Sequence, residues 1–276
     1  MDELAPEFDS TIAEYYCRAP EEHRLEQGAF LLEALRTREL IERHAPPAPA
    51  TVLDIGGAAG AYSFWLAEAG YTVHLLDAVP RLIDEAQRRN ATHPRPLASC
   101  QAGDARSTSF PDACADIVLL LGPLYHLTAA QDRARALAET SRVLKPGGRL
   151  FAAAISRWTS ALDGLGRDLF QDPQFAAIVK QDLHDGQHRN PSERLDYFST
   201  PYFHRPEYLS AEVSAEGFLI DGLYGIEGPG WILPDIAARL EDPRQRADLL
   251  YVARALESEP SVVGMSAHLL VVARKA

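Results

Sequence analysis

Between Thr51 and Ile155 the chain alternates short apolar runs with amphipathic segments, a rhythm that few architectures accept. Strand-length runs fall at Thr51–Ile55, Tyr71–Leu76, Leu97–Gln101, Ala115–Leu121 and Arg149–Ile155. Helical spacing falls between them at Tyr62–Ala69, Pro80–Asn90 and Thr128–Leu144. Strands that are apolar almost throughout must be covered on both faces, which predicts a parallel sheet flanked by helices. Upstream, Phe8–His44 reads as helical and stops at the prolines 46, 47 and 49. Downstream, the rhythm fails over Ser156–His204, a polar stretch rich in Asp, His, Gln and aromatics. It predicts an insertion over the carboxyl edge of the sheet, where open α/β folds bind ligands. A helix at Pro206–Gly217, strands at Phe218–Ile226 and Met265–Ala273 and a helical stretch across Asp235–Glu257 complete the pattern. The expected divisions are a helical cap over 1–47, a core over 48–155, a lid insertion over 156–204 and the rest of the core sheet over 205–276.

Charge narrows the partners. Lys and Arg total 27 against 39 Asp and Glu, a net charge of −12, which opposes a nucleic-acid partner. A small molecule is the expected ligand, and a monomer or homodimer the expected assembly. No run approaches the roughly 18 apolar residues of a membrane helix. The acidic start Met-Asp-Glu-Leu-Ala-Pro-Glu has no apolar leader region. Cys17, Cys100 and Cys114 are scattered and odd in number, so they read as free thiols in a reducing cytoplasm.

The sharpest local signal is Val52-Leu-Asp-Ile-Gly-Gly-Ala-Ala-Gly60. Glycines at a strand-to-helix turn admit a ligand close to the backbone and point helix amides at it. A dinucleotide would need Gly-x-Gly-x-x-Gly, but counted from Gly56 the second and third glycines fall on Ala58 and Ala61. The run instead resembles the first motif of class I S-adenosylmethionine-dependent methyltransferases, with Ala58 in place of the middle glycine. Asp77, 21 residues after Gly56 at the end of the second strand, and Asp104 after the third extend the resemblance. So does Leu-Lys-Pro-Gly-Gly-Arg-Leu ahead of the fifth strand. The likeness covers about Thr51–Ile155 and is to the small-molecule group of that family. It implies a Rossmann-like α/β fold: seven mostly parallel strands, helices on both faces and an antiparallel last strand.

The resemblance also implies S-adenosylmethionine as cofactor, leaving as S-adenosylhomocysteine. Asp77 would take the ribose hydroxyls, and Asp104 with the Ala105 amide would face the adenine. Asp54, Gly56, Gly57, Gly60, Ala78 and Leu121 would complete the cradle, with Tyr16 and Arg24 closing over it. The acceptor side is less determined, because methyl transfer rests largely on positioning. His126, after the fourth strand in Gly-Pro-Leu-Tyr-His, is a candidate base near neutral pH or a backbone-orienting histidine. Tyr125 beside it is grouped with the catalytic candidates, as pocket wall or cofactor contact more than as a base, and His188 with Asp185 reads as a second base with its orienter. Tyr15, Trp158, Tyr197, Phe203 and Trp231 are candidate substrate contacts. His184, His188 and His204 have no metal-ligand spacing, so no metal is expected. The competing readings are an RNA or protein methyltransferase, a repurposed member that binds cofactor without transfer, and, more remotely, a nicotinamide oxidoreductase.

Overall fold

The computed structural model describes residues 15, 16, 24–192 and 194–276. Residues 8–14 and 17–23 of the predicted N-terminal helical region, Cys17 among them, lie outside the described residues. What is described there is a 3₁₀ turn at Arg24–Glu26 and a helix at Phe30–His44, which ends where the proline cluster begins.

Among the described residues, eight strands form one sheet: β1 Thr51–Ile55, β2 Thr72–Asp77, β3 Ser99–Ala102, β4 Ala115–Leu120, β5 Leu144–Ser156, β6 Phe203–His204, β7 Phe218–Gly225 and β8 His268–Lys275. The order is β3-β2-β1-β4-β5-β8-β7, with β6 added at the end of β5. Strands β1 to β5 are parallel, and β8 is antiparallel to both β5 and β7. The expected mostly parallel sheet with an antiparallel last strand is therefore present. The expected count of seven misses β6, a two-residue strand that Ile155 and Ser156 pair with Phe203 and His204. Strand β5 also begins five residues before the predicted Arg149, because Leu144 already pairs with Ala115.

Alternation along these strands builds two apolar layers. Leu53, Val118, Leu120, Leu150, Ala152 and Val271 pack on one face of the sheet. Val52, Ile117, Leu119, Phe151, Ala153 and Val272 pack on the other. A side chain turned either way finds cover, which is why the runs are continuous rather than alternating in polarity. The helical stretch predicted across Asp235–Glu257 is two helices, Ile236–Glu241 and Pro243–Leu256. Pro243 cannot continue the first helix, and the Asp242 carboxylate accepts from the Gln245 amide to start the second.

Strand order reverses between β1 and β4, with β2 and β3 on one side and β5 on the other. The crevice at the carboxyl ends of these strands is where an open α/β sheet places its ligand. Segment 156–204 holds helices at Thr159–Gly166 and Pro173–Asp185 and returns to the sheet through β6. Among the described residues, no helix is long and apolar enough to cross a membrane.

Candidate active site

The turn after β1 is set by its own backbone. Gly56 and Gly60 take left-handed φ values of 76° and 85°, and Ala58 takes 51°. A Cβ on Gly56 would lie 2.5 Å from the Pro123 ring, and one on Gly57 2.5 Å from the Asp54 carboxylate. Both positions need glycine for space, and Gly56 needs it for conformation as well. Ala58 holds a conformation that costs an L-residue about 1–2 kcal/mol, and its amide donates to Asp77 Oδ2 at 2.8 Å. Alanine thus replaces the middle glycine without displacing the turn. Ala58→Gly should raise stability by only about 0.5 kcal/mol, because glycine loses more entropy on folding. Ligand affinity should stay within about threefold; a larger gain in a binding titration would show that alanine does distort the turn.

Two buried carboxylates face this turn. Asp77 accepts from the Val79 amide through Oδ1 and from the Ala58 amide through Oδ2, both at 2.8 Å. An ionised carboxylate has about four lone-pair sites, so two remain for further donors. Burial raises its pKa, and the two amide bonds offset only part of that. Asp54 is 1% exposed. Its Oδ2 accepts from Ser63 Oγ at 2.6 Å, and its Oδ1 is buried with no hydrogen-bond partner. Burial pushes its pKa up to about 6; the Ser63 bond opposes this, and the nearby Asp77 charge adds to it. A buried oxygen without a donor beside a glycine cradle suits a ligand that brings a cation or a donor.

The crevice divides into two cavities. The first, of about 340 Å³, is lined by Asp54, Gly56, Gly57, Asp77, Ala78, Asp104, Ala105, Leu121, His126, Tyr16 and Arg24. The second, of about 540 Å³, is lined by Tyr15, Tyr197, Phe203 and Trp231 among mainly apolar groups such as Phe30, Ile155, Phe175 and Ile232. Tyr16, Arg24, Glu33, Tyr125 and His268 line both and form their common wall. Tyr16 and His126 meet there, with the Tyr16 hydroxyl 2.6 Å from His126 Nε2.

Several expectations are corrected. Gly60 does not line the first cavity; its left-handed backbone starts the helix Ala61–Glu68. Trp158 lines neither cavity and packs where a Cβ on Gly264 would be. His188 lines the second cavity, but both its ring nitrogens are engaged, Nδ1 with Asp182 Oδ2 at 2.9 Å and Nε2 with the Tyr197 carbonyl at 2.8 Å. Its partner is not Asp185, whose carboxylate accepts from the Gln187 amide. Left-handed Gly186 ends the helix Pro173–Asp185 and folds His188 back onto Asp182. His188 therefore ties the segment together and has no nitrogen left for proton transfer. Asp104 is held by Arg106, whose backbone amide and guanidinium both donate to it. His184 is exposed and His204 is buried against Glu212, so the three histidines make no shared site.

Sequence reasoning missed Glu33, Glu227 and His268. His268 opens β8, and its backbone amide and Nδ1 both face the Glu227 carboxylate, at 3.0 and 2.5 Å. Ser266 Oγ donates to the same carboxylate at 2.6 Å. Glu33 approaches Nδ1 at 3.9 Å and is itself clasped by both terminal nitrogens of Arg24. Burial works to lower the His268 pKa, but the Glu33 and Glu227 charges outweigh it and the net shift is upward. Only the antiparallel register could have hinted at this group, since Gly225 pairs with Leu269 and so brings the residues after β7 beside His268.

Known proteins resemble this chain in sequence and in fold. Residues 53–152 match a family model described as a methyltransferase domain. The ubiquinone/menaquinone biosynthesis C-methyltransferase of Acidiphilium cryptum is 31% identical over 57% of this chain, which spans 64% of that protein's length. The ubiquinone biosynthesis O-methyltransferase of Xylella fastidiosa is 28% identical over 80% of this chain and 79% of its own. Among solved structures, the PH0226 protein of Pyrococcus horikoshii shares the fold with a TM-score of 0.63 at 16% identity, over 95% of this chain and 99% of its own.

Proposed function

Residues 53–152 of this chain are a methyltransferase domain of the class I, S-adenosylmethionine-dependent family, and on that premise we propose that the protein methylates a small organic acceptor. The observation that carries this reading is the pair of cavities with one shared wall. The smaller is lined by the glycine turn, Asp54, Asp77 and Asp104, and the larger mainly by apolar and aromatic side chains. A cofactor in the first and an acceptor in the second would meet at Tyr16, Tyr125 and His268. When bound, S-adenosylmethionine supplies a methyl group on a positively charged sulfur, open to in-line attack.

The chain's own groups fit that cofactor. The free lone pairs of Asp77 would accept the ribose hydroxyls. The unpartnered Asp54 Oδ1 and the Gly56–Gly57 backbone, which line the first cavity, would receive the methionine end. Asp104 would accept from the adenine while keeping Arg106. His126 lines the cofactor cavity and not the larger one, which favours a role in holding Tyr16 over the cofactor rather than in acceptor deprotonation. A cavity of about 540 Å³ and a net charge of −12 favour a small molecule over RNA or protein. The relatives named for quinone biosynthesis support a ring-bearing acceptor, methylated on carbon or oxygen.

Calorimetric titration tests the cofactor. Micromolar binding of S-adenosylmethionine and S-adenosylhomocysteine, with none of NADH, is the expected result. NADH binding alone, or no binding of either sulfur compound, would overturn the reading. Formation of S-adenosylhomocysteine dependent on added acceptor then separates an enzyme from a cofactor-binding protein without transfer.

A further inference from the structure

We propose that His268, oriented by Glu227, is the proton acceptor for a hydroxyl-bearing aromatic acceptor held in the larger cavity. This rests on the methyl-transfer reading above. His268 is one of the five residues common to both cavities, so it faces the place where acceptor and methyl would meet. Its Nδ1 lies 2.5 Å from Glu227 Oε1, a carboxylate that can only accept, so Nδ1 carries the proton and Nε2 the lone pair. Nε2 has no hydrogen-bond partner among the described residues and is not sealed from the cavity. Glu227 is fixed in turn by Ser266 Oγ and by the His268 backbone amide. This is the geometry of a base held by an orienting group.

The surroundings select the acceptor's chemistry. Phe30, Ile155, Phe175, Phe203 and Ile232 give the larger cavity an apolar surface suited to a flat ring. The acceptor's O–H bond breaks and its proton passes to His268 Nε2. The oxygen's electron pair forms the new bond to the methyl carbon as the carbon–sulfur bond breaks, its pair returning to sulfur. Positive charge thus moves from sulfur to the imidazolium, which the Glu227 and Glu33 carboxylates stabilise. A divalent cation between Glu33, Glu227 and His268 would have to compete with bonds already made. Their ligand atoms lie within 4.8 Å of one another, but Glu33 is clasped by Arg24 and Nδ1 is already turned to Glu227.

The test uses two probe acceptors, 2-naphthol, which keeps its proton at pH 8, and p-nitrophenol, which is largely ionised there. His268→Gln keeps a donor for Glu227 and should bind S-adenosylmethionine within about twofold of the parent. Its kcat on 2-naphthol should fall by about 100-fold, the scale of a lost general base, with KM within threefold. On p-nitrophenol, which needs no base, the fall should be below fivefold. Glu227→Gln should move the acidic limb of the pH–kcat profile downward by about one pH unit, because a carboxylate that favours the imidazolium has gone. Glu33, Glu227 and Arg24 are the charged groups facing His268, and Tyr16 and Tyr125 are the titratable ones beside it on the shared wall. An equal loss on both probes, or none on either, would overturn the assignment of His268 as a base. Activity abolished by EDTA and restored by magnesium would replace it with a cation site. Failure of the parent protein to methylate either probe, while it still binds S-adenosylmethionine, would overturn the hydroxyl acceptor and leave the cofactor reading standing. Failure to bind the cofactor would remove both.

Discussion

Asp77→Asn should weaken S-adenosylmethionine binding by about 30- to 1,000-fold. The range corresponds to about 2–4 kcal/mol, the loss of one to two hydrogen bonds to a charged carboxylate at about 1.5–3 kcal/mol each. Asp77 has two tasks that asparagine cannot share. Its oxygens already accept from the Ala58 and Val79 amides, so only a carboxylate has lone pairs left for ribose hydroxyls. An amide nitrogen would face one of those N–H groups donor to donor and release either the glycine turn or the first turn of the helix Pro80–Asn90. Burial raises the pKa of Asp77, so binding to the parent protein should also weaken as pH falls through that raised value. The variant should lose this part of the dependence and keep only the part that Asp54 supplies. Titrations of both proteins between pH 4 and 8 would show it, with the thermal transition recorded as a check on folding. Affinity within threefold of the parent would remove Asp77 from the cofactor site.

How much of this was legible in the sequence depended on distance along the chain. The β1 turn, Asp77 and Asp104 each stand at the end of a strand whose run of apolar residues marks it. The crossover rules of parallel sheets then bring those ends together without further information. Spacing alone misled at His188, where Asp185 lies three residues away but a left-handed glycine turns the ring toward Asp182. It was silent on Glu33, Glu227 and His268, which come from a helix before the sheet, a loop after β7 and the first residue of β8. No local pattern joins residues so far apart; only the antiparallel closing pair of strands and the packing of the helix Phe30–His44 against them do. The groups proposed to hold the cofactor stand at strand ends and were readable, whereas the proposed base and its carboxylates come from distant elements and were not.

Asp54→Asn should make the protein without cofactor more stable at pH 8 while weakening cofactor binding, which separates the cost of this residue from its use. Burial raises the Asp54 pKa from its ordinary 3.8 to about 6. With the folded value above the unfolded one, the stabilising contribution of the neutral form is fully present below about pH 4 and is lost as pH rises through 6. At pH 8 the ionised, half-partnered carboxylate therefore costs the fold about 3 kcal/mol. Asparagine keeps an oxygen for Ser63 and carries no charge, but its amide N–H would be buried where Oδ1 now has no partner. Allowing about 1 kcal/mol for that leaves a net gain of about 2 kcal/mol at pH 8, or about 4–8 °C in Tm for a domain of this size. At pH 4 the gain should vanish or reverse. Cationic S-adenosylmethionine would reward the ionised form, so its presence should stabilise the parent more than the variant and lower the Asp54 pKa. Thermal melts of both proteins across pH 4–8, with and without the cofactor, measure each term. Parallel melting curves for parent and variant across that range would show that Asp54 is not titrating there, and equal stabilisation of the two by cofactor would place the charge outside the site. The buried oxygen without a donor is thus destabilising in the empty protein for the same reason that it can attract a cation, and a single substitution exposes both effects.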